Sequence, residues 1–146
     1  FEAIKENKMW LGYNCVRHFV QPDGTMYETA RTYWYTNLDI AKRHEDIILY
    51  KTYFGNEKDY PTYDNYDAIN VDRTQDIPID FTGVIGVPIT FLDKYNAAQF
   101  EILGMAASAG YSPEIVGIPF KGDKDARPLV NGKNIYARVF IKNKRI

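Results

Sequence analysis

The chain has 146 residues with nearly balanced charges, 18 Lys and Arg against 19 Asp and Glu, and 45% of its residues are hydrophobic. This length and composition suit one globular core and exclude both a disordered protein and, because the net charge is near zero, a uniformly basic nucleic-acid binder. The longest apolar runs fall short of the ~20 residues that a bilayer requires, a lone Cys cannot form an internal disulfide, and no secretory leader opens the chain, so we expect a cytoplasmic protein without a membrane span.

The first residues have the pattern of an amphipathic helix. Phe1 and Ile4 recur on one side of a period of about 3.6 residues, and charged residues occupy the other side. Because the chain starts inside this pattern and without Met, we expect it to be a piece of a longer protein.

Four further elements are predicted before residue 55. Residues 9–14 and 16–21 form strands, and the turn chemistry of Pro22-Asp23-Gly24 predicts a hairpin. Residues 29–37 are rich in Thr, Tyr and Trp and predict a strand. A stripe of apolar residues over 38–54 predicts a helix.

The segment 56–80 is acidic, with seven Asp and Glu against two basic residues. Its prolines and many Asp residues predict a long connection along the surface, with one short strand at 68–71.

The second half alternates strands and turns. An apolar run at 83–90 predicts a buried strand, Thr90 and Asp93 match a capping box that starts a short helix, and 100–106 predicts a strand. After a loop at 107–124, Asn131-Gly132 predicts a type I′ hairpin turn, and 135–141 an alternating strand. We therefore predict an α+β fold, a mixed and mostly antiparallel sheet with few helices.

No complete active site is visible in the sequence. Cys15, His18 and His44 are too few for a metal site or a supported nucleophile, so we assign no metal and no catalytic residue. The glycines at 83 and 86 match no phosphate-binding pattern and are better explained by close backbone packing. Asp64 and Asp67 resemble a solvated acidic loop more than an acid/base pair.

Nucleic-acid binding is better supported. Arg31, Tyr33, Trp34 and Asn37 combine a cation, stacking rings and an amide on one strand, and residues 121–145 carry eight basic against two acidic residues. A half-buried strand with tyrosine hydroxyls at its wet edge explains the same residues without a ligand.

Several segments, in order along the chain, resemble the C-terminal part of the EcoRI-type adenine-specific DNA methyltransferase family. The most specific is GVPITFLDKYN followed by QFEILG. The resembling segments are residues 4–13, 32–39, 60–71, 82–96, 99–104 and 131–142.

The resemblance implies methyl transfer from S-adenosylmethionine to the exocyclic amine of adenine in duplex DNA, usually within a restriction-modification system. The family's Gly-rich cofactor loop and Asn/Asp-Pro-Pro-aromatic motif are both missing, and the sequence contains no Pro-Pro pair. We therefore expect a missing N-terminal catalytic part, an inactive isolated chain, and S-adenosylmethionine bound only by the full-length enzyme.

The resemblance also implies a division of the chain and a set of DNA contacts. Residues 1–55 would end a Rossmann-like catalytic sheet, 56–80 would be an acidic connection, and 81–146 a target-recognition region. We expect Tyr33, Trp34 and Asn37 near the target base or its neighbours, and Lys94, Asn96, Lys133 and Arg138 on the DNA backbone or base edges. Arg31 is expected to contact a phosphate or a guanine edge. For Arg138, a solvated position on an alternating strand is an equal alternative.

Two other functions remain open at this stage. One is a self-contained, non-enzymatic binding module that uses a Tyr-rich surface. The other is a hydrolase that uses the acidic middle segment, which is weaker because no water-activating base or metal set accompanies those carboxylates.

Overall fold

The computed structural model describes residues 1–15, 18–28, 32–106, 117–119, 121 and 127–146, without the side chains of 12–15 and 32–34. The described part is α+β with one short helix and mostly antiparallel strands, as predicted. The elements are α1 (Glu2–Lys5), β1 (Trp10–Cys15), β2 (His18–Val20), β3 (Met26–Glu28), β4 (Thr32–Thr36), β5 (Ala68–Asn70), β6 (Val84–Pro88), β7 (Phe100–Ala106), β8 (Leu129–Val130), β9 (Lys133–Asn134) and β10 (Arg138–Asn143).

The main sheet has the strand order β5-β6-β10-β7, in which β5 and β6 are parallel and the other pairs antiparallel. Successive side chains of β10 point to opposite faces, and Val139, Phe140 and Ile141 are all fully buried. Both faces of the sheet are therefore covered, which explains why this strand is not half polar.

The larger core lies on the face that carries Ile85, Val87 and Val139. Helix α1 contributes Ile4 to it, and β1 contributes Trp10, whose indole N–H donates to the carbonyl of Tyr95 at 2.9 Å. The start of the chain is thus packed against the main sheet.

The opposite face holds a smaller cluster with Tyr63, Tyr66 and Phe140. Gly86 lies beneath the ring of Tyr63, and a Cβ at Gly86 would lie 2.0 Å from the Tyr63 hydroxyl. The close packing predicted for this glycine is confirmed.

Two hairpins also match the sequence. Strands β2 and β3 pair around the turn predicted at 22–24, where Gly24 has a φ of 84° and Asp23 accepts hydrogen bonds from the amide and hydroxyl of Thr25. Strands β8 and β9 pair around Asn131 (φ 50°) and Gly132 (φ 76°), the two positive φ values that the predicted turn requires.

The helix predicted over 38–54 is wrong. Only Ala41–His44 forms a short 3-10 helix, and residues 45–50 after it have no regular secondary structure. Gln99 explains this, since its amide accepts from the Ile47 N–H and donates to the Ile47 carbonyl, both at 2.8 Å. A distant side chain replaces the helical partners of this backbone.

The acidic segment does not run along the surface as predicted. It carries Tyr60, Tyr63, Tyr66, Ile69 and Ile77 into the core, and all are at most 5% exposed. The strand predicted within it is present as β5.

The capping box at Thr90 and Asp93 is not formed. The short helix there is a 3-10 helix over Ile89–Lys94, it begins after Pro88, and no side chain caps it. Strand β7 has the predicted bounds, whereas β10 begins three residues later than predicted and is buried on both faces. Most of the loop predicted at 107–124 lies outside the described residues.

Candidate nucleic-acid interface

Strand β4 carries the first group of predicted contacts. Arg31 lies outside the described residues, and for Tyr33 and Trp34 only the backbone positions within β4 are described. Asn37 follows the strand and is exposed. The strand pairs with β1, where Thr36 lies opposite Trp10, so Asn37 directly follows the last paired residue of the strand.

Lys94 ends the 3-10 helix that follows β6, and its side chain is exposed. It lines a cleft of about 350 Å³ together with Lys42, whose Nζ lies 5.2 Å above the centroid of the Trp10 ring. Lys42 was not predicted from the sequence, because its proximity to Lys94 arises only in the folded chain. Two cations therefore border this cleft, which is also lined by the carboxylates of Glu45 and Asp46.

Asn96, two residues later, is buried at 2% exposure. Its amide nitrogen donates to Asp46 at 3.0 Å, and its oxygen accepts from the Ala98 N–H at 2.9 Å. Asp46 also receives two hydrogen bonds from the Arg145 guanidinium, at 2.6 and 2.9 Å, and these lower the pKa of Asp46. Asn96 thus positions the chain and does not present an amide to a base.

Lys133 is exposed at the tip of the β8–β9 hairpin. The turn beside it is held by Asp64, whose carboxylate oxygens accept from the N–H groups of Asn131 at 3.2 Å and Gly132 at 2.7 Å. The Asp64 carboxylate therefore stabilises the turn through hydrogen bonds to its backbone, a role that differs from both the solvated carboxylate and the acid/base group considered from the sequence.

Asn65 supports the same hairpin from below. This buried side chain donates to the Arg127 carbonyl at 2.7 Å and accepts from the Leu129 N–H at 3.1 Å, and the Asn65 carbonyl accepts from the Lys121 N–H at 2.8 Å. We name Asp64 and Asn65 the hairpin cradle. Its partners are 56 to 68 residues distant in sequence, so no local pattern could reveal it.

Arg138 is 8% exposed, so it is not at a solvated position. Its Nε donates to the Asn70 side-chain oxygen at 3.1 Å, and a terminal nitrogen lies 3.3 Å from the Asp72 carboxylate. The same Asn70 oxygen accepts from the Tyr63 hydroxyl at 2.7 Å, and burial raises the pKa of that hydroxyl. Arg138 joins β10 to β5 inside the protein.

Tyr136 was not predicted as a site residue. Its side chain is 91% exposed, the highest exposure among the large hydrophobic side chains described. The other terminal nitrogen of Arg138 donates to the carbonyls of Tyr136 and Ala137, at 3.2 and 3.3 Å. The buried cation thus holds the backbone that presents this ring.

Potential metal ligands are sparse among the described residues. No group of three or more His, Cys, Asp or Glu among them could hold a metal ion. His44 pairs with Asp39 at an exposed position, and its hydrogen bond lowers the pKa of that carboxyl. No described helix is long and apolar enough to cross a membrane.

Comparison with known proteins shows which family this chain is similar to. Residues 1–144 match the family described as adenine-specific methyltransferase EcoRI. The whole chain is 44% identical to the type II methyltransferase M.EcoRI of Escherichia coli and covers 46% of it, in its C-terminal part. It is 34% identical to the type II methyltransferase M.MgeORF184P of Mycoplasma genitalium and covers 53% of that protein.

A third relative, the type II methyltransferase M.MpnI of Mycoplasma pneumoniae, is 31% identical and covered to 52%. The chain therefore spans about half the length of these curated relatives. No solved structure matches it. Similarity to these relatives favours the interpretation that the chain is part of a methyltransferase, and it does not favour a self-contained binding module or a hydrolase.

Proposed function

Since this chain belongs to the adenine-specific methyltransferase EcoRI family, we propose that it is the C-terminal, DNA-contacting part of a site-specific DNA adenine methyltransferase. The match over residues 1–144 carries this proposal. The full-length enzyme transfers a methyl group to the exocyclic amine of adenine in duplex DNA and acts in the cytoplasm.

S-adenosylmethionine supplies the methyl group in this proposal. The sequence present here has no Gly-rich cofactor loop. We place the cofactor and the catalytic motif in the remaining half of the protein.

The proposed DNA contacts are the exposed residues of the predicted set. Asn37, Lys94 and Lys133 present an amide and two cations to solvent. Cations contact phosphates and supply affinity, while amides read base edges. Tyr33 and Trp34 on β4 remain proposed contacts near the target base, and Arg31 remains a proposed DNA contact.

Asn96 and Arg138 take a different role in this proposal. Both are buried and already hydrogen-bonded, so they position the segments around Lys94 and Tyr136. We further propose that residues 81–146 form the recognition region, that 56–80 support it through β5 and the hairpin cradle, and that 1–55 extend the catalytic sheet.

Expression of the full-length gene in a bacterial host that lacks adenine methylation tests the proposal. We expect genome sequencing that detects N6-methyladenine to show one short modified motif. Absence of adenine methylation in a host that makes the folded protein would contradict the proposed activity.

The isolated chain is the matched control. Incubated with duplex DNA and labelled S-adenosylmethionine, it should incorporate no label, because it lacks the catalytic and cofactor motifs. Incorporation by the isolated chain would show that the reaction centre lies within these residues, against the proposal.

A further inference from the structure

We propose that Tyr136 is a stacking residue, whose ring packs on a nucleobase face that becomes exposed when the target adenine leaves the duplex. This inference rests on the proposed function, since only an enzyme that extrudes a base creates such a face. Stacking of bases on aromatic rings tolerates any base, because every base has a π-face.

The first support is the geometry of the ring and its backbone. The side chain is 91% exposed, yet the chain on both sides is fixed. The Ile135 N–H donates to the Pro128 carbonyl at 3.0 Å, and Arg138 donates to the Tyr136 carbonyl at 3.2 Å. Because the backbone is already held, binding would cost mainly the rotamer freedom of a side chain with only two χ angles, which favours a contact role.

The second support is the placement of the ring next to a supported turn. The side chains of the hairpin cradle, Asp64 and Asn65, hydrogen-bond to backbone groups within residues 127–132 at 2.7 to 3.2 Å and so hold this segment in place. Tyr136 therefore projects from a segment that is anchored at the turn, at Pro128 and at Arg138.

The third support is charge. Of the six Lys and Arg in residues 127–146, Lys133, Lys142 and Lys144 are exposed, whereas Arg138 is buried and Arg145 pairs with Asp46. The neighbouring hairpin tip at residues 131–134 is exposed and reads Asn-Gly-Lys-Asn, so Tyr136 follows a polar, cationic segment of the chain. A polyanion with aromatic faces complements this surface better than an apolar protein surface does.

The experiment uses the full-length protein and a 30-bp duplex containing its methylated motif, with 2-aminopurine in place of the target adenine. We expect Tyr136→Ala to weaken DNA binding roughly 5- to 100-fold, the range found for loss of a stacking ring. It should also change the 2-aminopurine fluorescence of the bound complex. Tyr136→Phe and Tyr136→Trp should retain binding within about 2-fold, because stacking needs the ring and not the hydroxyl.

Salt dependence separates stacking from charge. Tyr136→Ala should leave the slope of log K against log salt unchanged, whereas Lys133→Gln should reduce it by about 1. Tyr50→Ala is the matched control, because Tyr50 is also largely exposed, at 62%, but borders a cavity lined by Asp59, Asp72 and Asp76. It should change neither affinity nor fluorescence.

The outcomes separate this inference from the proposed function. If the wild-type protein methylates its motif and Tyr136→Ala matches it in affinity and fluorescence, the stacking role is wrong while the function stands. If Tyr136→Phe loses as much affinity as Tyr136→Ala, the hydroxyl and not the ring makes the contact, and stacking is again wrong. Failure of the wild type to bind or methylate DNA overturns both.

Discussion

Gly86 shows how one missing side chain fixes the packing of a whole face. The residue lies on β6 opposite Phe140 of β10, and the Tyr63 ring covers it. We expect Gly86→Ala to lower the free energy of unfolding by about 1–3 kcal/mol, because the new methyl group would overlap the Tyr63 hydroxyl and ring. Urea unfolding at neutral pH measures the change.

The Tyr63→Leu background is the control for this prediction. Removal of the ring eliminates the overlap, so Gly86→Ala should cost less there than in the wild type. Equal costs in the two backgrounds would show that the Tyr63 ring is not what excludes a side chain at Gly86.

Asp76 connects stability to pH. The Oδ1 atom of Asp76 lies 2.8 Å from Lys51 Nζ, as an ion pair without well-aligned hydrogen-bond geometry. The Oδ2 atom accepts a hydrogen bond from Arg73 Nε at 3.0 Å. Burial alone would raise the pKa of Asp76, but the two cations outweigh it and the pKa is lowered. The folded state therefore favours the ionised carboxylate.

We expect Asp76→Asn to lower the free energy of unfolding at pH 7 by roughly 0.5–1 kcal/mol, since both cations are partly exposed and screened by water. The contribution is fully present above the unfolded pKa of about 4 and is lost as pH falls through the lower folded pKa. Urea unfolding from pH 7 to pH 2.5 should show the two proteins converging in acid. A constant difference at all pH values would contradict this assignment.

Among the structural elements, the β8–β9 hairpin depends most clearly on distant residues. We expect Asn65→Ala to lower the free energy of unfolding by about 1–3 kcal/mol, because the Arg127 carbonyl and the Leu129 N–H lose their partner. Hydrogen exchange should show faster exchange of the amides at 129–134. Asn56→Ala, an exposed amide that bonds only within its own turn, is the control and should leave that exchange unchanged.

Elements with local causes were predictable from the sequence. Strand β7 coincides with the largely apolar run at 100–106, and Asn131-Gly132 suits the two positive φ values of its turn. The helix prediction for 38–54 was wrong because Gln99, 52 residues away, bonds both backbone groups of Ile47 in place of helical partners. The prediction of a surface path for the acidic segment was wrong, because its charges suggested exposure whereas its tyrosines and isoleucines are buried in the core.

At the scale of the whole molecule, the acidic and basic parts of the sequence meet. Asp64 holds the turn beside Lys133, Asp72 faces Arg138, and Asp46 binds Arg145. A charge count along the chain therefore overestimates the cations available to DNA. Lys94 and Lys133 are exposed, whereas a charge count could not show that Arg138 is used inside the protein.

Exposed and buried cations should give two classes of variant in the full-length protein. Lys94→Gln and Lys133→Gln should each weaken DNA binding and reduce the salt slope by about 1, because each removes one phosphate contact. Arg138→Ala should instead lower the free energy of unfolding by roughly 2–4 kcal/mol, because Asn70 and the carbonyls of 136 and 137 lose a buried donor.

Fluorescence anisotropy across a salt series and urea unfolding on the same samples measure both quantities. Lys58→Gln, an exposed cation within the acidic segment, is the control and should change neither. If Arg138→Ala left stability intact but altered the methylated motif, Arg138 would be reading a base after all, which would require its side chain to leave Asn70 and Asp72 when DNA binds.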